Sequence, residues 1–178
     1  MSKISCSDKI TAYAVLCCTF TLVCGIANSQ EPEIMDSLIL SQFTDESPNL
    51  GWYIQNDNVM GGRSKGNFAI LSDKLIFSGN TNTDGGGFSS IRTQPLQLDL
   101  SDRTGIRVQV KGDGRVYTWH LQTDARWRGR TVSYWADFNT SAEEEIFVDI
   151  PFTSFKPQFR GFKLEGPELN TELITQLG

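Results

Sequence analysis

The sequence predicts an all-β protein, a single antiparallel β-sandwich. Three observations carry this reading. Short runs of alternating apolar and polar residues recur from position 52 to position 150, each bounded by turn-forming residues, as in sandwiches and barrels. Two glycine clusters, Gly61-Gly62 and Gly85-Gly86-Gly87, punctuate these runs. Such glycines mark tight turns, bulges or close backbone approach. No segment sustains a helical period. A chain of 178 residues suits one domain and can bury a sizeable core.

Lys3 and Lys9 open the chain, and an uncharged run follows over positions 10–30. Ala27 and Ser29 supply small residues at −3 and −1 from a cleavage before Gln30, so residues 1–29 read as a secretory signal peptide. All four cysteines, Cys6, Cys17, Cys18 and Cys24, lie in this segment, which leaves the exported chain without disulfides. The uncharged run is also about long enough to span a bilayer, so an N-terminal membrane anchor is the alternative. A mitochondrial presequence should be rich in arginine and poor in acids; this segment has no arginine and contains Asp8.

Residues 30–37 form a polar, flexible leader, and the sandwich domain is expected over 38–178. Leu38-Ile39-Leu40 and Phe43 give an apolar opening strand or turn. Trp52-Tyr53-Ile54 leads into the first glycine loop, and a strand starts near Gly66. Phe68 and Ile70, then Leu75 and Phe77, flank a turn at Ser72-Asp73-Lys74. A polar loop reaches the second glycine cluster, a strand follows over 88–93, and another over 96–100. Ile106, Val108 and Val110 alternate with Arg107, Gln109 and Lys111 in a half-buried strand. Asp113-Gly114 reads as a hairpin turn into a return strand over 115–123. Val132, Tyr134, Ala136 and Phe138 alternate again, then Ile146, Val148 and Ile150. Phe152, Phe155, Phe159 and Phe162 suggest an aromatic cluster, and a brief helix is expected over 168–177.

Few residues invite chemistry. His120, the one histidine, shares a strand face with Thr118 and Gln122 and reads as a surface or interfacial residue. No G-x-S-x-G elbow accompanies it, so no catalytic residue is assigned. The glycine clusters match neither phosphate-binding fingerprint. No cofactor is expected and the mature chain offers no Cys/His metal site, although Asp57, Asn58, Asp84 and loop carbonyls could hold a structural calcium. The run Glu143-Glu144-Glu145 reads as a solvated loop. Three arginines and a tryptophan crowd Asp124-Ala125-Arg126-Trp127-Arg128-Gly129-Arg130 in a chain of net charge −5. That loop reads either as a contact for an anionic partner, polysaccharide or lipid headgroup, or as a solvated hairpin with Trp127 folded back. The acidic balance argues against nucleic acid as a partner.

Trp52, Asp57-Asn58-Val59-Met60-Gly61-Gly62-Arg63-Ser64, Phe77-Ser78-Gly79-Asn80 and Gly86-Gly87-Phe88-Ser89-Ser90-Ile91-Arg92 resemble the signature of the complex I intermediate-associated protein family. This is the family of the mitochondrial NADH:ubiquinone oxidoreductase assembly factor. Gly105-Ile106, Val110-Lys111-Gly112-Asp113-Gly114-Arg115 and Pro151-Phe152-Thr153-Ser154-Phe155 continue the resemblance in order, from about position 43 to the C-terminus. It implies a jelly-roll sandwich like the galactose-binding domains, and a non-enzymatic role in assembling a membrane enzyme. Family domains continue past 174–178 into a further strand or two, which implies either a sandwich lacking its closing strands, with an open edge, or a truncated chain.

These readings converge on a non-catalytic binding or assembly domain for a protein partner, such as a membrane-complex subunit. The alternative is an exported carbohydrate-binding module. Asp57, Asn58, Met60, Gly61, Gly62, Arg63, Ser64, Gly87, Phe88, Ser90 and Arg92 would shape the loop face, and Arg126, Trp127 and Arg128 would form a second, contacting patch.

Overall fold

Period-two patterning builds the strands of two facing sheets. The computed structural model describes residues 8–12, 37–84 and 87–178. The first sheet contains β1 (Asp8–Ala12), β3 (Lys65–Ile70), β4 (Leu75–Asn80), β6 (Gly105–Lys111) and β9 (Ile146–Pro151), in the order β3-β4-β1-β6-β9. The second contains β7 (Val116–Trp127), β8 (Arg130–Asn139), β10 (Lys156–Phe159), β11 (Phe162–Lys163) and β12 (Ile174–Leu177), in the order β11-β10-β8-β7-β12. A ribbon of β2 (Tyr53–Asn56) and β5 (Ser89–Arg92) accompanies them. The pairings between these strands are antiparallel.

The core lies between the sheets. Ile106, Val108 and Val110 are buried, whereas Arg107 on the other face of β6 makes a two-pronged pair with Asp149, at 2.6 and 2.8 Å. Opposite them, Leu121, Val132, Tyr134, Ile174 and Leu177 are fully enclosed. The Tyr134 hydroxyl donates to the Glu168 carbonyl at 2.9 Å, so its burial leaves no donor unmatched. Near residues 37–43 the sheets leave a cavity of about 710 Å³, with Leu40, Phe43, Trp52, Trp119 and Leu177 in its wall.

Several expectations hold. The β3–β4 hairpin turns where Ser72 and Asp73 take positive φ, and β6 alternates as its sequence requires. Glu143, Glu144 and Glu145 are exposed. Other expectations are corrected. Asp113-Gly114 does turn tightly, with Gly114 at φ 83°, but it joins different sheets: β6 pairs with β1 and β9, β7 with β8 and β12. Residues 168–177 form no helix, because Ile174–Leu177 pairs with β7 and sends Ile174 and Leu177 into the core. The strand expected over 96–100 is reduced to a single bridge between Leu98 and Ile174, yet residues 93–98 cover the free side of β12: Leu96 N–H donates to Thr175, and Leu98 exchanges backbone bonds with Ile174. Phe162 leaves the expected aromatic cluster and is 74% exposed.

The leader expected at 30–37 falls, except for Ser37, outside the described residues, as does most of the segment read as a signal peptide. The described part of that segment is β1, with Asp8 opposite Gly79 and Thr11 opposite Lys111. Among the described residues no helix is long and apolar enough to cross a membrane.

Candidate functional site

The first glycine loop is built around one buried carboxylate. β2 ends in a 3-10 turn, Asp57–Met60, which Gly61 closes in the left-handed conformation at φ 85°. Asp57 is 3% exposed. Its carboxylate accepts the Ser64 amide at 2.9 Å and the Ser64 hydroxyl at 2.6 Å, while its own amide donates to the Phe88 carbonyl at 3.1 Å. The Ser64 hydroxyl in turn accepts the Asn82 amide at 3.0 Å. Three chain segments thus meet at one acid. The Ser64 hydroxyl is the main reason its pKa falls below the usual carboxylate value; burial opposes this and backbone amides add to the lowering.

Two glycines exist to admit this acid. A Cβ at Gly62 would stand 2.1 Å from the Asp57 Cγ, and one at Gly87 would stand 2.1 Å from the Asn82 carbonyl oxygen and 2.8 Å from Asp57 Oδ2. The ribbon beside the loop is tied similarly. Asn56 Oδ1 accepts the Gly66 amide at 3.0 Å and the Ser89 hydroxyl at 2.8 Å. Ser90 donates to the Gln55 carbonyl and accepts from Arg92 Nε.

The structure therefore brings Asp57, Gly62, Ser64, Gly87 and Phe88 together. Asn58, Met60, Gly61 and Arg63 lie on the outside of the same loop, with Met60 62% exposed. Ser90 and Arg92 belong to the adjoining ribbon, and burial lowers the pKa of the Arg92 guanidinium. The Asp57 carboxylate, one of the oxygen donors named for a structural calcium, bonds to the Ser64 amide and hydroxyl. Among the described residues no group of three or more His, Cys, Asp or Glu side chains could hold a metal ion.

Arg126, Trp127 and Arg128 occupy a different element, the β7–β8 tip. Trp127 is folded back: its ring lies 5.7 Å from that of Phe159 and packs against the core, while the arginines point outward. His120 corrects the surface expectation. It is 7% exposed, and among the described residues neither ring nitrogen has a hydrogen-bond partner. The Gly178 backbone pairs with that of His120 in both directions, at 2.6 and 2.9 Å, and helps to cover it. Burial, helped by the charge of Arg92, lowers its pKa to about 3. Sequence reasoning missed this covering and the cavity, since both are assembled from segments distant in the chain.

The fold is a jelly-roll sandwich that carries a hydrogen-bonded loop at its surface. The chain belongs to the complex I intermediate-associated protein 30 family, whose profile matches residues 41–178. It is 32% identical over 139 residues to an uncharacterized protein of Schizosaccharomyces pombe, covering 68% of this chain and 64% of that protein. The chain thus spans a little under two thirds of that curated relative. In fold it is similar to the family 11 carbohydrate-binding module of the cellulosomal cellulase Lic26A-Cel5E of Clostridium thermocellum. That match has a TM-score of 0.54 and 16% identity, over 78% of this chain and 80% of the module.

Proposed function

We propose that this protein is a non-catalytic binding domain of assembly-factor type, which docks a protein partner, a membrane-complex subunit, on the outer face of the Asp57 loop. One observation carries the reading: the buried Asp57–Ser64–Asn82 network fixes the loop, and the fixed loop displays Met60 at 62% exposure beside Arg63. An exposed methionine is an adaptable apolar contact, and a pre-ordered loop loses little conformational entropy on binding. Family membership supports the same reading.

Affinity capture from the native membrane fraction, with a glycan array in parallel, tests it. The expected result is stoichiometric recovery of a membrane-complex subunit by the wild-type chain, and its loss with Met60→Asp or Arg63→Glu. Glycan retention that disappears with Trp127→Ala would replace this reading with a carbohydrate-binding one.

Export after cleavage near Ser29 belongs to the same proposal, and N-terminal sequencing of the native protein decides it. A start at Gln30 supports export and removes β1 from its place between β4 and β6. A start before Asp8 retains β1 and rejects cleavage.

A further inference from the structure

Two hairpins of the second sheet end side by side. The β7–β8 hairpin closes over Arg128-Gly129, at φ 49° and 78°, and the β10–β11 hairpin over Arg160-Gly161, at φ 49° and 84°. Positive φ at both central residues is the hairpin turn whose twist suits its strands. β10 pairs antiparallel with β8, Gln158 opposite Ser133, which brings both tips to one end of the sheet. Aromatic rings join them. Trp127 packs on Phe159, Arg128 stacks 4.6 Å from the Trp127 centroid, and Arg130 and Arg160 approach Phe159 at 5.5 and 5.6 Å.

The cations here are not neutralised. Arg126, Arg128, Arg130, Arg160 and Lys163 are exposed, and among the described residues none has a carboxylate within ion-pair distance. The acids of the same hairpins, Asp124 and Glu165, are exposed and pair with none of them. Guanidinium groups lying over rings keep N–H edges free for phosphate or carboxylate. Phe162, opposite Phe159 in the β10–β11 register, is 74% exposed beside this cationic cluster.

We infer that the paired tips dock on an anionic lipid bilayer, with the arginines on headgroup phosphates and Phe162 at the acyl boundary. Charge complementarity requires an anion, and the exposed phenyl selects among anions. A soluble polyanion would satisfy the arginines and leave Phe162 in water, whereas a bilayer interface takes both. The surface is separate from the Asp57 loop, so it does not depend on the protein-partner reading.

The experiment is co-sedimentation of the full chain with phosphatidylcholine vesicles containing increasing phosphatidylserine. Binding by the apolar N-terminal run would not depend on phosphatidylserine, so the tips are read from the dependence on anionic lipid. Binding should rise with phosphatidylserine and fall with salt. The Arg128→Gln/Arg160→Gln variant should bind the most anionic vesicles roughly tenfold or more weakly, with binding to pure phosphatidylcholine unchanged. Phe162→Ser should also weaken binding to anionic vesicles. An arginine variant that keeps the wild-type dependence on phosphatidylserine overturns the inference. So does a Phe162→Ser chain that binds as the wild type does while dextran sulfate competes fully, since that pattern describes a polyanion site.

Discussion

Asp57 illustrates how one side chain governs its neighbours. Because its carboxylate fills the space beside Gly62 and Gly87, the loop tolerates no side chain at those positions without moving backbone or breaking the Ser64 bonds. Gly61 differs: its φ of 85° disfavours a side chain, but a Cβ there meets nothing within 4 Å. Gly87→Ala is therefore expected to destabilise by about 2–3 kcal/mol, and Gly61→Ala by only about 1 kcal/mol. Urea unfolding of the two variants checks the order. His120 makes a second prediction. Its pKa is near 3 in the fold and 6.5 as the ordinary value, so between these the unfolded chain binds a proton that the folded chain does not. Stability from this residue is intact above pH 6.5 and falls as the pH drops towards 3. The limiting slope is about 1.4 kcal/mol per pH unit. A His120→Gln chain should show a correspondingly flatter urea midpoint across that window.

Local chemistry made individual elements legible where the strand itself records its surroundings. The alternation of Ile106, Val108 and Val110 with Arg107, Gln109 and Lys111 is the imprint of one dry and one wet face, and β6 has both. Asp113-Gly114 was legible as a turn and illegible as a connection, because turn residues dictate a reversal and not which sheet receives the next strand. Residues 168–177 misled for a related reason. Their leucines and glutamates suit a helix, but bonds from β7 on one side and residues 93–98 on the other give an extended backbone. The buried state of His120 was invisible for the same cause, since its cover comes through Gly178. The glycine loop was readable because glycine pairs and a short acid close in sequence specify a local device. Since β12 is held by pairing as well as by burial, Ile174→Ala removes apolar contacts at a fully enclosed position that cannot easily collapse. It should destabilise by about 2–5 kcal/mol, measured as a lowered denaturant midpoint with the slope unchanged.

At the scale of the molecule, the proposed activities use surfaces that share no residue and no hydrogen bond. The Asp57 loop presents Met60 and Arg63 beyond β2, while the hairpin tips present Arg128, Arg160 and Phe162 beyond β7–β8 and β10–β11. Both surfaces are carried on one packed sandwich with fixed strand registers, and sites that share no contact contribute additively unless a two-state element links them. Substitutions should therefore dissociate the two activities. Met60→Asp is expected to abolish recovery of the protein partner and to leave the dependence of vesicle binding on phosphatidylserine unchanged. Arg128→Gln/Arg160→Gln should do the reverse when capture is run in detergent, where no bilayer can concentrate the chain. In intact membranes the same arginine variant should reduce partner recovery as well. Two weak contacts held on one rigid body act at high effective concentration towards a target embedded in the surface that one of them grips. Loss of both activities from Met60→Asp, with unfolding unchanged, would mean instead that the two surfaces form a single site.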